Sequence, residues 1–245
     1  MPRRRAGSGP ALSRSIRWDV IPKPDGASRR LVVLSRVDDA AFSRSVAGAM
    51  PAIRRALGRE SHANRVVRWD PARGPILEPW EPARRRWQRD VRRLEIDADR
   101  VAVTDVRACY ASISPSVVTD RLRAIRAPEA CVHEIGSWLR VFLEAGVDGL
   151  PVGPVGSAIL ADAVLSIGDE ALRPTGAAHV RWVDDVAIFA TDDRTRAAAL
   201  EALRRAWSSC GLEPHDGKTV LLDGFAGEAR SLITAASLAA SAALR

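Results

Sequence analysis

The sequence predicts an α+β fold: an antiparallel sheet in a split β-α-β order, with helices on one face. Three observations carry this. Apolar, β-branched strands are expected at residues 100–104, 179–183 and 186–190. Long helical stretches separate the first strand from the other two. The pair Asp184-Asp185 joins those two in a tight hairpin. A chain of 245 residues, 47% hydrophobic and 27% charged, has ordinary globular composition and room for one or two modest domains.

The elements follow in order. Residues 1–15 read as a disordered basic arm. Residues 16–22 form a short strand, 23–28 supply turn chemistry (Lys-Pro-Asp-Gly-Ala-Ser), and Leu31 to Leu34 return as a second strand. Asp38 is the expected cap of a helix to about Gly58, interrupted near Pro51. Residues 59–80, rich in Pro, Arg and Trp, read as irregular. A helix from Glu81 to Glu95 carries six arginines around Trp87. Beyond the strand at 100–104, Ser114-Pro115 opens a helix as N-cap and first-turn proline. Further helices span roughly 129–145 and 155–172. Asp192 or Asp193 caps a helix ending at Gly211. Thr219 to Leu222 is the last strand, and residues 225–245 form an Ala-rich helix or tail. The divisions are thus 1–15, 16–98, 99–224 and 225–245.

No apolar run is long enough for a membrane span, and the basic start lacks the apolar stretch of a signal peptide. The expected location is cytoplasmic. Cys109, Cys131 and Cys210 form neither a disulfide framework nor a zinc pattern. A net charge of +7 and a pI near 10.4 fit a polyanionic partner, nucleic acid first, or a genome that favours arginine. Of 37 basic residues only Lys23 and Lys218 are lysine, so these two positions draw attention to a compact ammonium.

Asp184-Asp185 alone would be turn residues. Adjacent carboxylates repel unless cations neutralise them, and Mg²⁺ prefers carboxylate oxygen. Asp105 ends the strand at 100–104, which the proposed sheet places beside the hairpin. Three such carboxylates suit two Mg²⁺ ions about 4 Å apart, with Mn²⁺ as a substitute.

Five segments, in order, resemble the motifs of reverse transcriptases: Ile21-Pro-Lys-Pro-Asp-Gly-Ala-Ser-Arg-Arg-Leu31, Val103-Thr-Asp-Val-Arg-Ala-Cys-Tyr-Ala-Ser-Ile113, Gly149-Leu-Pro-Val-Gly-Pro-Val-Gly-Ser157, Arg181-Trp-Val-Asp-Asp-Val-Ala-Ile-Phe189 and Gly211-Leu-Glu-Pro-His-Asp-Gly-Lys-Thr219. The resemblance implies a right-hand polymerase with fingers (16–98) and palm (99–224). It implies RNA-directed DNA synthesis on a primer with dNTPs. Asp105, Asp184 and Asp185 would be catalytic and metal-bound, with the Val106 carbonyl as a further ligand. Lys23 and Arg29 or Arg30 would grip the triphosphate. Tyr110 would lie under the incoming sugar. Val152, Gly153 and Ser157 would face nucleotide or template, and Lys218 the leaving pyrophosphate.

Departures from the family pattern shape the expected function. Val152 stands where many members have glutamine, and Trp182 where tyrosine or phenylalanine is usual. The run Val152-Gly153-Pro154 resembles divergent bacterial reverse transcriptases of phage defence and abortive infection. Little chain follows residue 222, so the thumb is expected to be absent or minimal, with a protein or structured RNA partner in its place. The alternatives are a catalytically impaired RNA-binding protein and a retroelement or template-independent nucleotidyltransferase. The Arg-rich helix at 81–95 either lines a template path, with Trp87 stacking on a base, or is a solvated face with Trp87 in the core.

Overall fold

The computed structural model describes residues 12, 16–22, 28–70 and 74–223. The basic arm, except for Leu12, and the Ala-rich C-terminal segment lie outside the described residues, as does Lys23. The hairpin β1 (Arg17–Pro22) and β2 (Ser28–Val33) opens the chain, with Trp18 opposite Val32 and Ile21 opposite Arg29. Two helices follow, α1 (Arg36–Ala47) and α2 (Met50–Ala56). Ser35, not Asp38, caps α1: its hydroxyl accepts the Asp38 N–H while donating to the Asp38 carboxylate at 2.7 Å. The break falls at Gly48–Ala49, and Pro51 sits in the first turn of α2, where its missing N–H has no helical partner to lose.

Residues 59–80, expected to be irregular, contain a second hairpin, β3 (Val66–Asp70) with β4 (Gly74–Leu77). Gly74 and Pro75 hid it, because both are poor strand residues by propensity. Pro75 is tolerated on a two-stranded ribbon with no further neighbour.

Helix α3 (Trp80–Glu95) leads to β5 (Arg100–Thr104). A one-turn helix α4 (Cys109–Ser112), α5 (Pro115–Ala124), α6 (Glu129–Glu144) and α7 (Val155–Leu172) follow. The hairpin β6 (Ala178–Trp182) and β7 (Asp185–Ala190), helix α8 (Asp193–Ser208) and β8 (Val220–Asp223) complete the described fold. Ser114 and Asp192 cap α5 and α8 as expected, each accepting an N–H three residues on.

The main sheet is antiparallel throughout, in the order β6-β7-β5-β8. Its two faces follow from period-2 alternation. Ala102, Val186, Ile188 and Ala190 join the larger core under α7 and α8. Val101, Val103, Val180, Trp182, Ala187 and Phe189 face the other way, where Trp87 and Val91 of α3 cover them. The expected helices therefore lie on one face, and α3 seals the second. Trp87 is 2% exposed and meets Trp182 edge-on at 6.0 Å, so it is a core residue and not a base-stacking one.

The segment after α2 extends the sheet edge. Arg181 donates its N–H to the Glu60 carbonyl at 2.8 Å, and His62 donates to the Arg181 carbonyl at 3.1 Å. His62 is fully buried. Burial, then Arg86, Arg65, Arg181 and Arg89, push its pKa down to about 3 from 6.5. Its 3.5 Å approach to Asp90 is therefore no ion pair at neutral pH. The unfolded chain gains this proton near pH 6.5 and the folded chain does not until about pH 3. Stability should thus fall as pH drops through that window, by up to about 1.4 kcal/mol per pH unit from this group. In urea unfolding followed against pH, His62→Gln is expected to flatten the acid limb by about one proton. An unchanged slope would assign the limb to other groups.

Candidate active site

The site is built at one end of the main sheet. Thr104 pairs with Val186, so Asp105, one residue beyond β5, comes beside Asp185 at the start of β7. The β6–β7 hairpin closes at Trp182 and Asp185, so its two-residue turn is Val183-Asp184 rather than Asp184-Asp185. Asp184 thus sits on the turn and Asp185 on the strand. Val183 has φ +56°, a left-handed conformation that a β-branched residue adopts only under constraint.

That constraint is Arg181, a fully buried side chain. One terminal nitrogen donates to the Val183 carbonyl at 2.8 Å and to Asp162 Oδ1 at 2.8 Å. The other reaches Asp169 Oδ2 at 2.8 Å and Ser61 Oγ at 3.1 Å, and Nε reaches both Asp169 oxygens at 3.0 Å. The turn is therefore tied to two carboxylates of α7 and to the segment after α2.

The carboxylates are only partly matched by positive charge. Burial, then Asp184 and Asp105, push the Asp185 pKa up to about 8, against Lys218 and Arg84. Burial and Asp105 also raise that of Asp184, opposed by its own backbone N–H, Arg29 and Lys218. Asp105 Oδ1 is buried without a hydrogen-bond partner, while Oδ2 accepts from Lys218 Nζ at 2.8 Å. Among the described residues no three carboxylate, imidazole or thiol groups are gathered closely enough to hold a metal as they stand. An orphaned buried oxygen on Asp105 beside two carboxyl groups that resist ionisation nevertheless fits a hard cation.

Behind Asp105 the chain is anchored to the loop before β8. Arg107 donates to the Glu213 carbonyl at 2.8 Å and His215 to the Asp105 carbonyl at 2.9 Å. This bridge uses the groups flanking Val106 and not the Val106 carbonyl. Tyr110 is half-buried, and its carbonyl accepts from Leu150 at 2.8 Å. Burial first, then Cys109, Asp162 and Asp184, hold its hydroxyl protonated well above pH 10, with Arg29 opposing. Arg29 thus belongs to the electrostatic surroundings of both Tyr110 and Asp184. Arg30 lies over the Trp18 ring at 4.0 Å instead.

Gly153, at φ +129°, makes room for the fingers hairpin: a Cβ there would meet the Val32 carbonyl at 2.5 Å. Ser157 is fully buried within α7. Val152 is half-buried, and its carbonyl accepts the Val32 N–H at 2.7 Å.

The family of reverse transcriptases (RNA-dependent DNA polymerases) matches residues 21–227. The chain belongs to this family. No curated relative matches the sequence of this reverse transcriptase domain. Solved structures share its fold. The apo telomerase of Candida tropicalis is 11% identical, with a TM-score of 0.60 over 92% of this chain and 46% of that one. Telomerase of the same organism in complex with a TWJ fragment of telomeric RNA is 13% identical, with a TM-score of 0.56 over 89% and 42%. The corresponding Candida albicans complex is 12% identical, with a TM-score of 0.56 over 85% and 43%. The chain therefore spans less than half the length of these three telomerases.

Sequence reasoning missed Arg181, Asp162 and Asp169 as the support of the reverse transcriptase hairpin. A signal was present. Asp162 and Asp169, seven apart, share one face of a helix whose other residues are mostly apolar, and such a pair calls for a buried cation. Arg181→Met should destabilise the fold by about 3–5 kcal/mol in urea unfolding, because it strands two buried carboxylates. Val183→Gly should instead stabilise it by up to about 1 kcal/mol through relief of the left-handed valine. A destabilised glycine variant would show that Val183 packing outweighs its backbone strain.

Proposed function

We propose that this chain is the catalytic core of an RNA-directed DNA polymerase, which adds dNTPs to a primer 3′-hydroxyl on an RNA template. The observation that carries the reading is the convergence of Asp105 and the Val183-Asp184 turn at one sheet end, with a buried Asp105 oxygen that no group among the described residues satisfies. Asp105 and Asp184, with Asp185 beside them and the Val106 carbonyl as a further donor, would hold Mg²⁺ or Mn²⁺. The ions would supply neutralisation of phosphate charge and a more acidic 3′-hydroxyl.

The chain's own residues account for the rest. In the reaction the primer 3′-hydroxyl gives up its proton to water, its oxygen bonds to the α-phosphorus and the bond to the α,β-bridging oxygen breaks, so pyrophosphate leaves with the electron pair. Arg29 would take a triphosphate oxygen, with Lys23 in the parallel role that the family resemblance implies. Lys218, kept protonated by its hydrogen bond to Asp105, offers a charged donor to the leaving group once that bond is given up. Tyr110 stays neutral and fills the space under the sugar.

A role in antiviral defence, in a bacterial setting, is supported by the Val152-Gly153-Pro154 run. A second reading is an RNA-binding protein of the same fold without catalysis. It is favoured by the Lys218 contact on Asp105, which competes with any metal for Oδ2.

Purified protein with Mg²⁺ or Mn²⁺ should incorporate labelled dNTPs, and Asp105→Asn or Asp184→Asn should reduce incorporation by at least about 100-fold while circular dichroism is unchanged. Incorporation that survives either change would sink the site assignment. Absence of incorporation in the unmodified protein, with RNA binding retained, would favour the second reading. Tyr110→Ala should weaken discrimination against ribonucleotides; an unchanged dNTP/rNTP ratio would remove Tyr110 from that role.

A further inference from the structure

Helix α3 divides its arginines between two faces. Arg84, Trp87, Val91 and Glu95 point into the protein. Arg84 stacks on Trp87 at 4.5 Å and acts on Asp185, so the inner face is fixed beside the carboxylate site. Arg85, Arg89, Arg92 and Arg93 are all exposed. At about 100° per residue they fall in one stripe roughly 100° wide. They recur at intervals of three and four, where side chains lie about 5–6 Å apart.

This stripe is poorly compensated. Among the described residues only Arg85 of the four makes an ion pair, a 3.6 Å exposed contact with Glu81. Like charges at these spacings weaken a helix by about 0.2–0.5 kcal/mol per pair. A solvated helix face gains nothing from that arrangement, whereas a row of phosphates does. Guanidinium groups suit phosphate because they offer paired, planar donors. The stripe covers about 12 Å of helix axis from Arg85 to Arg93. Exposed Asp97 and Asp99 then reverse the charge.

We propose that the outer face of α3 is a sequence-independent track for the phosphate backbone of single-stranded nucleic acid passing the carboxylate site. It deepens the polymerase reading by naming a path that the strand takes. Trp87 is buried, so the track offers no aromatic stacking and reads charge alone.

The test is binding of a mixed-sequence RNA or DNA oligonucleotide of about 20 nucleotides, followed by anisotropy from about 50 to 300 mM KCl with EDTA present. The triple variant Arg89→Gln, Arg92→Gln, Arg93→Gln should lose about tenfold in affinity near 100 mM salt, and its log–log salt slope should fall by about 2. The charge-preserving triple variant with lysine at the same positions should keep the slope. A control triple variant, Arg126→Gln, Arg140→Gln and Arg194→Gln, removes the same charge from exposed sites elsewhere and should keep it too. An equal loss in the control, or an unchanged slope in the track variant, overturns the proposal. So does a track variant that loses binding to phosphatidylserine vesicles while it holds oligonucleotide normally. All substituted residues are exposed, and the thermal midpoint should not move; if it does, the lysine variant decides. With EDTA present the result is independent of catalysis, so failure here leaves the Asp105 and Asp184 assignment untouched.

Discussion

The described fold depends on one buried guanidinium. Arg181 has no contact with solvent, yet its donors meet five acceptor atoms on four residues, drawn from three parts of the chain. Asp169 and Asp162 bring in α7, Ser61 brings in the segment that extends the sheet edge, and Val183 brings in the hairpin turn. Burying a charge of this kind is costly, and an apolar replacement of the whole cluster would serve stability as well or better. What the ion network adds is position. A carbonyl held at 2.8 Å fixes the peptide that precedes Asp184, and with it the direction in which that carboxylate points. The left-handed Val183 is the local expense of that placement, held by its surroundings.

The same cluster separates two kinds of carboxylate. Asp169, bonded to Arg181 through both oxygens, is held down to about 2 despite burial. Asp185, without such a partner, is pushed up to about 8. One group is charged as part of the framework; the other resists charge until a cation arrives. Lys218 and Arg29 supply only part of what Asp105, Asp184 and Asp185 lack, and Lys218 satisfies a single oxygen of Asp105. Asp162, which shares Arg181, lies between them, raised by burial to about 6; Asp169 has its counter-charge within the chain, while the carboxylates of the candidate site leave room for it to come from outside.

Much of this was legible in the sequence because it rests on local chemistry. Alternating apolar residues placed β5, β6 and β7, and Ser114 and Asp192 announced their helices. The nearness of Asp105 to the aspartate hairpin followed from strand order alone. The turn itself was displaced by one residue, because Asp outranks Val as a turn former and the tertiary bond from Arg181 decides otherwise. The β3–β4 hairpin was hidden because Asp70, Gly74 and Pro75 bound its strands with turn and breaker residues, which mask the strand formers Val66, Val67, Trp69 and Ile76. The role of α3 was open because the unbroken apolar runs of β5 and β7 mark both sheet faces as apolar without saying which helix covers the second.

Val152 illustrates how framework and chemistry are kept apart. Its position joins the fingers hairpin to the palm through backbone alone: the Val32 N–H meets the Val152 carbonyl, and Gly153 leaves space for the Val32 carbonyl. Neither contact involves the side chain at 152. Replacement of a glutamine by valine there would change what the loop offers to a nucleotide while leaving the fingers docked as before. Gly153 has no such freedom, since any side chain would strike the β2 backbone from a conformation that already disfavours one. The family's pattern is thus kept at the glycine, where the fold requires it, and departs from it at the neighbour, whose side chain takes no part in docking the hairpin.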